Sequence, residues 1–130
     1  MTGTISIEIS PAELIDKLTI LEIRLDRIDD PCKRANIVLE HSLVANVYAS
    51  SIAPLERLTA LKAGLRRANE KLWEIEDNIR DCERRGDFGP AFVELARSVY
   101  KTNDQRSILK REINRLLGSR LMEEKSYQAY

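Results

Sequence analysis

The chain has little that would announce chemistry. Of 130 residues only 2 are cysteines, Cys32 and Cys82, fifty positions apart and outside any CxxC unit. A disulfide framework and a zinc knuckle are therefore both unsignalled, and reduced thiols are expected. Charge of one sign is lacking too: 21 Lys and Arg balance 21 Asp and Glu. A neutral chain has no global field to draw it to nucleic acid or to an acidic membrane surface. No apolar run approaches the roughly 20 residues of a membrane-spanning helix, and residues 1–10 lack a basic start followed by a long apolar stretch, so a cytoplasmic protein without a membrane span is expected. Glycine (5) and proline (4) are scarce, as in a folded, helix-rich protein rather than a disordered one. No Gly-rich phosphate loop, GxSxG elbow or paired nucleophile and base occurs, which argues against the common catalytic designs.

What is present is helix. With 43% hydrophobic and 32% charged residues the composition is that of one folded helical domain spanning 1–130. The prolines, at 11, 31, 54 and 90, each precede an amphipathic run, and proline is tolerated in a first helical turn because its missing N–H has no partner there. Ser10-Pro11-Ala12-Glu13 reads as a capping box. Leu14, Leu18, Leu21, Leu25 and Ile28 follow it on one helical stripe. A second, weaker helix starts at Asp30-Pro31, its apolar positions irregular and its end rich in serine. From Leu58 through Leu61, Leu65, Ala68, Leu72, Ile75 and Ile79 to Cys82 the spacing alternates three and four, with Gly86 as a stop. The rhythm returns after Gly89-Pro90 from Phe92 to Leu116, ended by Gly118. The expected fold is all-α: a long antiparallel helical hairpin, one or two further packed helices, and a short N-terminal extended segment. In that segment Thr4 to Ile9 alternates like a strand, which would pair with its copy in another subunit or lie across the helices. The tail from Ser119 could add one short helical turn.

Two polar residues, Thr102 and Arg106, intrude on the apolar seam of the fourth helix. A guanidinium there needs acceptors or solvent, since an unpaired buried charge costs several kcal/mol. Helical register sets Asn69, Trp73 and Asp77 of the third helix opposite Ser107, Asn103 and Tyr100 of the fourth. With Arg106 these residues form either a network that fixes the hairpin register or a small polar ligand site. Glu74 and Asp77 make one ExxD unit, but a magnesium site needs a second acidic pair and none is found. His41 stands without metal-ligand or triad companions. No metal or other cofactor is expected. Cys32, near a helix start, is the thiol better placed for reactivity, and Cys82 continues an apolar stripe.

The segments ISPAELIDKLTILEI (9–23), NEKLWEIED (69–77), ELARSVYKTND (94–104), KREIN (110–114) and GSRLMEEKSY (118–127) resemble a small bacterial family of short helical proteins of unknown function. Its members are sometimes encoded near surface-polysaccharide genes, so the resemblance implies a link to lipopolysaccharide or capsule assembly and carries over no catalytic residue. The first helix also resembles the opening helix of chorismate mutases, which use arginine and lysine rather than a nucleophile. Two functions therefore compete. One is a non-catalytic helical interaction module that forms a homo-oligomer or holds a protein partner. The other is a small helical enzyme or sensor that binds an anionic metabolite among Arg106, Tyr100, Asn103 and Trp73, aided by Lys17 or Arg24 of the first helix.

Overall fold

The structure, a computed structural model, describes residues 3–130; the first two residues of the expected 1–130 domain lie outside the described residues. Four helices follow one another: α1 (Pro11–Arg27), α2 (Pro31–Ser51), α3 (Glu56–Arg85) and α4 (Pro90–Leu116). Among the described residues there is no strand. Residues 4–10 carry no regular secondary structure, and the alternating pattern of Thr4 to Ile9 does not become a strand because no second strand lies beside it to close the ladder.

The expected starts and stops are largely those observed. The Ser10 hydroxyl accepts from the Glu13 N–H at 3.3 Å, and Asp30 caps α2 by accepting from the Lys33 N–H at 2.9 Å. The Glu13 carboxylate lies against Lys110 at 2.5 Å. Pro11, Pro31 and Pro90 open their helices, whereas Pro54 stands outside α3, ahead of an extended Leu55 at φ −133°. Gly86 and Gly118 sit in the left-handed region at φ 67° and 66°, where a side chain would meet its own backbone. The tail beyond Gly118 adds no helical turn; it runs back along α4.

The core gathers Ala12 and Ile15 of α1, Leu58, Leu61 and Leu65 of α3 and Ile113 of α4, with Tyr48, Ile52, Leu109 and Leu117 packed around it. α3 and α4 make the most extensive contact between helices, α1 packs on both, and α2 packs on α1. At Gly64 the two long helices come close enough that an added Cβ would stand 3.4 Å from the Leu109 side chain. Arg57, near the start of α3, meets Glu112, near the end of α4, at 2.9 Å. No described helix is long and apolar enough to cross a membrane.

Candidate functional site

α1 buries Leu14, Ile15, Leu18 and Leu21, and its twist carries Asp16 and Thr19 inward with them. Asp16 is 4% exposed, so its carboxylate must be answered by charge and hydrogen bonds from its neighbours. α4 answers with Arg106, whose Nε donates to Asp16 Oδ1 at 3.0 Å while a second guanidinium nitrogen donates to Oδ2. This two-point geometry matches the planar fork to the carboxylate. α3 answers with Asn69, whose Nδ2 donates to Asp16 Oδ1 at 2.8 Å and to Thr19 Oγ1 at 3.0 Å. Thr19 Oγ1 in turn donates to the Asp16 carbonyl at 2.8 Å.

A second cation extends the network. Lys110 Nζ stands 3.9 Å from Asp16 Oδ2, 2.5 Å from Glu13 Oε1 and 3.3 Å from Glu123 Oε2. Three helices and the tail thus converge on one buried carboxylate. Burial works against ionisation of Glu123, but the Lys110 ammonium, helped by Lys125, outweighs it and holds this carboxyl below its ordinary range. Arg111 does the same for Glu124, through paired contacts at 3.1 and 3.2 Å.

The residues expected to share one polar site fall on the two sides of Arg106. Asn69, Trp73 and Asp77 line an open cavity of about 490 Å³ whose floor is Ile20, Ile23 and Leu72. Tyr100, Asn103 and Ser107 line another of about 850 Å³, closed on its far side by the tail residues Lys125, Tyr127 and Tyr130. Arg106 borders both. Tyr130 packs edge-on against Tyr100 with ring centroids 5.1 Å apart, and its hydroxyl donates to Asp104. The α1 cations do not join: Lys17 pairs with Glu40 at 3.0 Å, and Arg24 points to solvent. Neither borders either cavity.

Sequence reasoning missed Asp16, Thr19 and Lys110. A signal for Asp16 was present, since helical spacing sets it beside Ala12, Ile20 and Ile23, on an apolar flank of α1 away from the leucine stripe, as Arg106 lies on the apolar seam of α4. Opposite charges on two buried stripes have one economical solution, which is to meet. Among the described residues no three His, Cys, Asp or Glu side chains converge as a metal site. Glu74 of the ExxD unit faces Arg27 at 3.3 Å, and the Arg27 guanidinium lies 6.0 Å from the centroid of the Trp73 ring.

A family of unknown function, DUF6165, matches residues 5–130. The chain belongs to this family. The DUF6165 match takes in every helix and the tail, so all the residues of the Asp16 network fall within it. No curated protein and no solved structure matches the chain.

Proposed function

We propose that this protein is a non-catalytic helical interaction and assembly module that works as a homo-oligomer, associated with bacterial surface-polysaccharide synthesis as its resemblance implies. In this reading α3 and α4 form a long antiparallel hairpin, favoured by the Arg57–Glu112 pair and by the approach of Gly64 to Leu109. The Asp16–Arg106–Asn69 network sets the register of α1 on that hairpin. The single observation that carries the reading is surface. A compact monomer of 14.9 kDa exposes about 7,000 Å² by the usual scaling with mass, whereas this chain exposes 9080 Å². Exposed large apolar side chains, Leu39, Leu43 and Val47 of α2 among them, belong to this surface, and association would cover them. Light scattering on the full chain at micromolar concentration tests it: a mass that is a multiple of 14.9 kDa is expected, and a strict monomer overturns it.

The alternative, an enzyme or sensor for an anionic metabolite, draws on the two cavities beside Arg106. Against it stands Asp16, which already neutralises the guanidinium that an anion would need. A thermal-shift response to inorganic phosphate or a sugar nucleotide would restore it.

A further inference from the structure

Of the four helices α2 is the least covered. Its only buried side chain is Ile37, 9% exposed, and its backbone comes close to α1 alone, with Tyr48 reaching past it to the core and to Lys62 of α3. A helix of 21 residues with one buried side chain is poorly held by its own fold, because helix stability in proteins comes mainly from packing an apolar face. Yet α2 has a second apolar face. Leu39, Leu43 and Val47 recur every four residues, so they stand in one row, and they are 63%, 60% and 50% exposed. Ile7 and Ile9 of the N-terminal arm continue this row, bordering with Leu43 and Val47 a groove of about 420 Å³.

We infer that this face is the interface of a homodimer, in which the α2 helices of two copies pack antiparallel across a two-fold axis near Leu43. The inference rests on the assembly reading above and names its partner. Three observations select a second copy. The row is symmetric about Leu43, so an antiparallel copy sets Leu39 against the partner's Val47 and Leu43 against the partner's Leu43, as a self-complementary two-fold contact requires. Residues 41–51 contain no Asp, Glu, Lys or Arg, and the charges at the edge of the face, Glu40 beside Leu39 and Lys17 in the groove, pair with each other at 3.0 Å, so bringing two such faces together opposes no unpaired like charges. The chain as a whole exposes about 2,000 Å² more than a compact monomer of its mass, a surplus larger than the roughly 800 Å² that each partner of a stable dimer buries, and the row with Ile7 and Ile9 is an apolar stretch of it.

The test uses the full chain in light scattering, with helix content followed by circular dichroism. Wild type should run at twice 14.9 kDa. Leu43→Asp should run as a folded monomer, whereas Phe88→Asp, at the exposed turn between α3 and α4, should leave the dimer intact. Should Leu43→Asp fail to fold, Leu43→Cys in a Cys32→Ser background decides, because a residue on the axis meets its own copy and should give a disulfide-linked dimer under mild oxidation. An oligomer that survives Leu43→Asp, or a Leu43→Cys chain that does not cross-link, overturns this interface and leaves the assembly reading standing. A wild-type monomer overturns both.

Discussion

Thr102 is 1% exposed, and its hydroxyl is the one buried side-chain polar atom among the described residues that lacks a hydrogen-bond partner. Leaving such a group unpaired costs about 1–3 kcal/mol, and removing it relieves that cost. Thr102→Val should therefore raise the unfolding free energy by about 1 kcal/mol, read from urea denaturation. Asp16 is the opposite case, a buried charge whose hydrogen bonds are made. Asp16→Ala leaves Arg106 with an inward guanidinium and no carboxylate, and should cost about 3 kcal/mol or more by the same measurement. Combining it with Arg106→Met should recover most of that loss, because the stranded charge goes too. The sequence marked Thr102 and Arg106 as intruders because they break an apolar rhythm on their own helix. It could not say that Arg106 finds its acceptor on α1 and Thr102 finds none, because 90 residues separate Arg106 from Asp16 and only packing closes that distance.

Element boundaries were the most legible layer, since caps and stops are written in a few adjacent residues. Gly86 illustrates it: at φ 67° its N–H donates to the Glu83 carbonyl at 3.1 Å and α3 ends. An added Cβ there would meet no neighbouring atom, so Gly86→Ala should cost about 1 kcal/mol from backbone strain alone, visible as a lower midpoint with an unchanged denaturant slope. The tail was less legible, because beyond a short local turn at Ser119 and Leu121 most of its partners lie on α4. Glu123 and Glu124 are ionised more readily than free carboxyls, Glu123 because Lys110 and Lys125 outweigh its burial and Glu124 through Arg111. A depressed folded pKa contributes stability above the unfolded value of about 4.3 and loses it as pH falls through the folded value. Tyr130 is shifted the other way: its hydrogen bond to Asp104 raises it above its ordinary value. Its contribution is complete below about pH 10 and lost as pH rises through the folded value. Tail docking should accordingly persist across the neutral range and loosen at both extremes. Hydrogen exchange or limited proteolysis of residues 119–130 at acid, neutral and alkaline pH would check it.

For the whole molecule, association links stability to concentration. If the α2 face is covered in a dimer, the melting temperature should rise with protein concentration, since only the folded state associates. A calorimetric series over two decades of concentration reads this, and a melting temperature that stays constant speaks for a monomer. The irregular apolar spacing of α2 looked like weakness in the sequence. In the structure α2 has two partial faces, Ile37 and Tyr48 turned inward with Ile52 just past its end, and Leu39, Leu43 and Val47 turned out.

By itself the sequence determined the all-helical class, the helix starts at Pro11, Pro31 and Pro90, the stops at Gly86 and Gly118, and the inward place of Cys82. These follow from spacing and from conformational limits that act within a few residues. Only the tertiary structure decided that Asp16, Asn69, Arg106 and Lys110 share one network, that the predicted polar patch divides about Arg106, and that the tail lies along α4. Those arrangements depend on which helix faces which. That choice is made by burial and charge pairing summed over the whole chain, and no local stretch of residues contains it.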